Sequence, residues 1–390
     1  MGEALTKKKL TAFAERNRDA FEKLLKEFVE IPSVSAEPEH APDIQRMAKL
    51  GAATLRSFGA RAEILETRGN PIVVGSFPER PGAPTVTLYN HLDVQPADRE
   101  PEGWRTEPFT FVREGNRYFG RGTTDDKGPA LSALFGVRAA LEADVPLNIR
   151  VIWELEEEIG SPSFEKGIAE HAQRLATDSV LVSDTIWVSR NQPACPSGLR
   201  GMQAFEFVLE IGKTDHHSGT TGGAARNPLG ELMKMIVDMY DPVTGRVRIK
   251  GFYEDVVPPS KRELKEFVDS GFSVAQFKRA HQLRSLRTEV PLEVMKRIWA
   301  MPTFEVHGVT GGYSGPGIKT IIPPRASVKV SCRLVPDQRP ERIVKLVRDF
   351  VKAKYPDVRI EIENRMMPYR GPTDGALSEA VRNAMKFAFG

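Results

Sequence analysis

Cysteine is nearly missing from this chain: Cys195 and Cys332 are the only two among 390 residues. Two thiols that far apart build neither a disulfide framework nor a thiolate metal site, so any metal has to be held by histidine and carboxylates. Long apolar runs are missing as well. None approaches the ~18 residues of a membrane span, and the N-terminus, charged from Glu3 onward, lacks the apolar stretch of a secretory signal. Met1-Gly2-Glu3-Ala4-Leu5-Thr6 fits a loose myristoylation pattern, short enough to arise by chance. An excess of one charge is also absent, since 55 basic against 52 acidic residues leave +3. The densest basic run, Lys7-Lys8-Lys9, reads as a solvated segment, and no basic stripe suited to nucleic acid stands out. These absences describe a cytoplasmic protein with neither nucleic acid nor a membrane as partner. Internal repeats and low-complexity tracts are lacking too.

What is present reads as an α/β protein too long for one core, so two or three domains are expected. Phe21, Leu24, Leu25, Phe28 and Val29 make one helical stripe that Pro32 closes, and a second helix is expected to end near Gly59. Strand patterns follow at 62–65, 72–74 and 85–89, a helix opens at Pro129, and strands recur at 148–155 and 179–183. Alternation of strands with helices predicts a mainly parallel sheet flanked by helices. The pattern changes near Gly198–Gly201. A strand at 202–211, a helix at 228–240 with Leu229, Leu232, Met233, Ile236 and Val237 on one face, and a polar helical stretch at 258–299 come next. Then Val328, Val330, Cys332 and Leu334 alternate with Ser327, Lys329, Ser331 and Arg333, as in a strand with one buried face. A helix at 340–354 and a strand at 358–362 complete an α+β domain. The boundaries expected are 1–199 for a first part of the catalytic domain, 200–365 for an inserted lid and dimerisation domain, and 366–390 for a return into the catalytic domain.

Four segments concentrate metal-ligating side chains just after predicted strands: Tyr89-Asn90-His91-Leu92-Asp93, Gly120 to Gly128 with Asp125-Asp126, Glu156-Glu157-Glu158, and Val182-Ser183-Asp184. Ligands of open α/β sheets gather at carboxyl ends of strands, so one cleft could collect all four. An imidazole and carboxylates suit a divalent cation with an open position for water. Asp93 is spaced to accept the second ring N–H of His91. Glu157 and Glu158 side by side repel unless cations lie between or beside them, and divide naturally into a general base and a ligand. Taken singly, each segment reads as an ordinary loop, turn or solvated face. Their shared placement, in this order, is what argues for a site.

These motifs resemble the co-catalytic zinc peptidases, the family of carnosinases, cytosolic non-specific dipeptidase, aminoacylase and succinyl-diaminopimelate desuccinylase, on its dipeptidase side. Asn191–Gly201, Asp215-His216-His217-Ser218-Gly219, Thr320-Ile321-Ile322-Pro323 and Ser331-Cys332-Arg333-Leu334-Val335-Pro336 extend the likeness. The resemblance implies two divalent ions, zinc with manganese as the alternative. His91 and Asp184 would bind one, Glu158 the other, and Asp125 would bridge them, next to a cis peptide at Asp125–Asp126. Glu157 would be the base acting on a water between the metals, and Asp93 would orient His91. His217, preferred over His216, would polarise the scissile carbonyl across a homodimer, and Arg333 would hold the substrate's carboxylate. The activity implied is hydrolysis of dipeptides or short peptides with a free carboxylate. The alternatives are an N-acyl-amino-acid deacylase on the same site and a catalytically silent relative. The family's last metal ligand is a late histidine, whereas the final histidine here is His307 and the chain stops after a helix at 378–389. A shortened catalytic domain with a poorly filled second metal site is therefore expected.

Overall fold

The helix Lys7–Val29 begins where Thr6 caps it, its hydroxyl accepting the Lys9 N–H at 3.3 Å. Its stripe turns inward as expected: Leu25, Phe28 and Val29 are buried, with Phe21 and Leu24 packed beside them. The structure is a computed structural model and describes residues 6–184 and 193–389. The first five residues of the myristoylation pattern, the start of the 191–201 match and the last residue of the chain lie outside the described residues.

The chain divides into two compact units, Met1–Ile186 with Glu379–Gly390, and Trp187–Ser378. The first is built on a five-stranded sheet in the order Arg61–Leu65, Ile72–Ser76, Asn148–Glu154, Thr85–His91, Ser179–Val182. Asn148–Glu154, Thr85–His91 and Ser179–Val182 run parallel, while the other two pairings are antiparallel. The sheet is thus mixed, because the connection 66–71 is too short for the crossover that a parallel pair requires. Trp153, fully buried, anchors the core and meets Phe28 edge-on at 6.1 Å. The helix Lys127–Glu142 covers the same face, and Phe135 meets Phe21 at 5.5 Å.

The second unit carries an antiparallel sheet ordered Thr303–Thr310, Arg325–Leu334, Gly201–Glu210, Arg359–Met366. Its inward residues include Phe205, Phe207, Val328, Val330 and Cys332, packed with the helices Pro228–Met239 and Pro340–Lys354. The alternation at 326–334 is realised in part: Lys329 and Arg333 stay exposed, but Ser327 and Ser331 on the same side are buried. Two details differ from the sequence reading. The strand Thr303–Thr310 was hidden by its loop-like glycines and a bulge between Val306 and Gly308. The helix Pro228–Met239 buries Leu232, Met235, Ile236 and Met239, whereas Met233 and Val237 face outward. Apolar residues on neighbouring stripes leave its rotation undecided until the sheet supplies a surface. The final helix, Ala376–Phe389, has Leu377, Val381 and Met385 half-buried and no fully buried residue. No helix among the described residues is long and apolar enough to cross a membrane.

Candidate metal centre

The three parallel strands of the first unit deliver its chemistry at their carboxyl ends. His91 closes Thr85–His91, Glu154 closes Asn148–Glu154 in register with it, and Ser183-Asp184 follows Ser179–Val182. Asp125 and Asp126 enter from the loop before the helix Lys127–Glu142, and the peptide bond between them is cis, as the resemblance implied. Glu157 and Glu158 occupy a short turn just past Glu154.

One ligand atom from each of His91, Asp125 and Asp184 lies within 4.8 Å of the others. His91 Nε2 is 2.9 Å from Asp125 Oδ1, 3.8 Å from Asp184 Oδ2 and 4.0 Å from Glu157 Oε2. The opposite ring nitrogen, Nδ1, faces the main-chain carbonyl of Asp93 at 3.0 Å and its carboxylate at 3.4 Å. A carbonyl can only accept, so Nδ1 carries the proton and Nε2 is the nitrogen aimed at the cluster. Glu158 stands slightly apart, its carboxylate accepting the Gln95 amide at 2.8 Å. His217 and Arg333 belong to the other unit. There His217 Nδ1 accepts the Gly219 N–H at 2.9 Å, and Arg333 projects from the exposed side of its strand.

Beneath the cluster lies a supporting layer, of which the sequence singled out Asp93 as the partner of His91. The Asp93 carboxylate accepts the backbone N–H groups of Glu157 (3.2 Å) and Glu158 (3.0 Å) and the Ser35 hydroxyl (2.6 Å). It therefore fixes the turn carrying both glutamates as well as facing His91. Glu154 accepts hydrogen bonds from the Tyr89 and Ser161 hydroxyls. Buried Asn90 reaches Asp126, and Asp126 accepts the backbone N–H of His91 at 3.2 Å. Lys127, with no exposed surface, donates to the carbonyls of Phe28 (2.9 Å) and Ile31 (2.7 Å) at the end of the first helix, where a cation is favoured. Burial lowers its ammonium to about 7. One sequence signal was available for Asn90. It is an amide in line with Val86 and Leu88 on an otherwise apolar strand face.

The electrostatics expose a deficit of positive charge. Burial lifts the Glu157 carboxyl to about 7, against the pull of His91 and with Asp184, Glu158 and Asp93 adding to it. Asp184 and Glu158 are likewise held above the usual carboxylate range by burial, and Asp126 rises to about 8 for the same reason. Burial works against a charged His91, yet hydrogen bonds to Asp125 and Asp93 push the ring up to about 12. An imidazole nitrogen and several mutually repelling carboxylates thus fit one or more divalent ions. A second carboxylate group, Glu206, Glu361 and Glu363, lies on the other unit's sheet and has no imidazole.

The loop carrying Asp125 depends on close backbone approach. A Cβ on Gly128 would sit 2.1 Å from the Thr123 carbonyl oxygen, and the Gly128 N–H already donates to Gly122 O at 3.0 Å. Gly128→Ala should destabilise the protein by about 3 kcal/mol, the upper range for overpacking, and weaken metal uptake. A urea midpoint equal to that of the wild type would contradict this.

Comparison with known proteins agrees with this geometry. Residues 87–390 match the profile of Peptidase family M20/M25/M40. The human Beta-Ala-His dipeptidase is 32% identical over 356 residues, spanning 87% of this chain and 70% of the relative. The Cys-Gly metallodipeptidase dug1 of Schizosaccharomyces pombe is 33% identical, spanning 88% and 75%. Among solved structures, an M20-family metallo-carboxypeptidase from Sulfolobus solfataricus aligns with a TM-score of 0.87 and 30% identity, covering 95% of this chain and 84% of that one. The resemblance drawn from the motifs is borne out: this chain belongs to the M20/M25/M40 peptidase family.

Proposed function

We propose that this chain hydrolyses the peptide bond of dipeptides or short peptides bearing a free carboxylate, with two divalent cations, zinc or alternatively manganese, as cofactors. The observation that carries the reading is the convergence of His91, Asp125 and Asp184 within 4.8 Å, with Glu157 beside them. The names of two relatives, a Beta-Ala-His dipeptidase and a Cys-Gly metallodipeptidase, support the substrate class. Divalent ions bound at such a site polarise the scissile carbonyl and lower the pKa of water.

The remaining work falls to side chains. His91 would offer Nε2 to one ion, since the Asp93 main-chain carbonyl holds Nδ1–H, and Asp184 would hold the same ion. Asp125 would be the ligand shared by the two ions, and Glu158 is assigned to the second. Glu157, half-buried and raised toward neutrality, takes a proton from the attacking water and returns it to the leaving amine. Asp93 keeps Glu157 in place through its backbone.

His217 and Arg333 are assigned to the substrate. With Nδ1 accepting from Gly219, neutral His217 carries its proton on Nε2, the tautomer that can donate to a developing oxyanion. Arg333 offers a forked donor suited to a carboxylate. A homodimer and a cytoplasmic location belong to the same proposal, on the resemblance. Mixing His217→Ala with Glu157→Gln subunits should restore part of the activity if His217 serves the partner's site. No recovery under proven subunit exchange would place His217 elsewhere.

The direct test is a panel of dipeptides, dipeptide amides and N-acyl amino acids, assayed with zinc, with manganese and after chelation. Turnover of free-carboxylate dipeptides only, lost on chelation, is the expected result. Faster cleavage of acyl amino acids would move the assignment to a deacylase, and no metal-dependent turnover of any of them would refute it.

A further inference from the structure

Three ligand-bearing segments meet at one side-chain nitrogen. Asn90 is fully buried, and its Nδ2 donates to Asp126 Oδ2 at 2.8 Å and to the Ser183 carbonyl at 3.0 Å. The same Asp126 oxygen accepts the His91 backbone N–H at 3.2 Å. Each anchored residue is the immediate chain neighbour of a proposed metal ligand: Asn90 of His91, Asp126 of Asp125, and Ser183 of Asp184. Both amide hydrogens are used. The orientation is determined, because turning the amide over would set Oδ1 against a carbonyl and a carboxyl oxygen.

We propose that Asn90 is a positioning residue of the metal centre, whose one amide nitrogen sets the spacing of His91, Asp125 and Asp184 and thereby the affinity for metal.

The packing argues against a residue kept merely to fill space. Val86 and Leu88 share this strand face and are apolar, and Asn90 Oδ1 is buried with no hydrogen-bond partner. An apolar side chain would avoid that cost. What it could not do is tie together segments 36 and 93 residues away. Backbone pairing alone couples Thr85–His91 to Ser179–Val182. The loop holding Asp125 has no strand partner there, so besides the His91–Asp125 contact itself at 2.9 Å, the Asn90–Asp126 contact and the His91 N–H are what seat it against His91. Coordination tolerates only a few tenths of an ångström in ligand placement. Loss of such a supporting contact is expected to weaken metal binding rather than abolish the fold.

This inference rests on the metal-site reading given above. The test measures Zn²⁺ affinity, by competition with a chromogenic chelator, of wild type, Asn90→Leu, Asn90→Ser and Gln203→Leu. Gln203 is an equally buried amide in the other unit, donating to the Ala204 and Glu363 carbonyls at 2.9 Å. Folding of each metal-free protein is checked by circular dichroism. Both Asn90 variants should fold and bind Zn²⁺ about 10–100-fold more weakly, the usual effect of removing an outer-shell partner. Gln203→Leu should lose thermal stability with its Zn²⁺ affinity unchanged. Affinities within threefold of wild type in both Asn90 variants would overturn the proposal. So would failure of both to fold without metal, which would make Asn90 a residue of the fold alone. Absence of Zn²⁺ binding by the wild type would refute the metal reading itself, and this inference with it.

Discussion

Glu157→Gln should lower kcat by about 10²–10⁴-fold, the usual contribution of a general base, while bound metal stays at the wild-type level. The substitution keeps size and shape, and the Glu157 backbone remains tethered to the Asp93 carboxylate, so the amide should occupy the same space. What it lacks is a site for the proton. The substitution also has a pH signature in the chelated protein. The folded carboxyl is raised from 4.5 to about 7, so its stabilising contribution is complete below about pH 4.5 and lost as pH rises through about 7. Chelated wild type should therefore lose more thermal stability than chelated Glu157→Gln between about pH 5 and pH 8. Loss of metal from Glu157→Gln would exchange the roles of the two glutamates, and parallel melting profiles would remove the pH argument.

Asp125→Ala is expected to empty the metal centre. Its carboxylate is the group nearest His91 Nε2, at 2.9 Å, and it shares the 4.8 Å cluster with Asp184. If it bridges two ions, its removal costs each a ligand. Metal affinity should fall by more than the ~10–100-fold typical of an outer-shell partner, and turnover with it. Elemental analysis after gel filtration is the check. His91 provides a second readout, since the Asp125 hydrogen bond is the largest contribution raising it. In the metal-free variant the imidazole should titrate nearer its ordinary range, visible by NMR. Full metal occupancy in Asp125→Ala would give the bridging position to another residue.

Much of the site was written locally. His91, Asp125, Glu157, Glu158 and Asp184 each follow a strand signal or open a helix, and adjacency in the chain carried most of the information. The supporting residues were much harder to see. Asn90 meets Ser183 across 93 positions and Lys127 meets Phe28 across 99, and no local periodicity encodes such pairs.

The sequence by itself determined the α/β and α+β character of the two regions, the inward face of 326–334, and the residue types gathered at the candidate site. Those features depend on residue type and on a period of two or 3.6, which one chain segment contains in full. Only the tertiary structure decided the mixed strand order, the strand Thr303–Thr310, the Leu232–Met235–Ile236–Met239 face of its helix, and the hydrogen bonds that seat the Asp125 loop against His91. A helix with apolar residues on adjacent stripes has no preferred face until a partner surface exists. A buried amide likewise has no role until distant chain segments bring it acceptors.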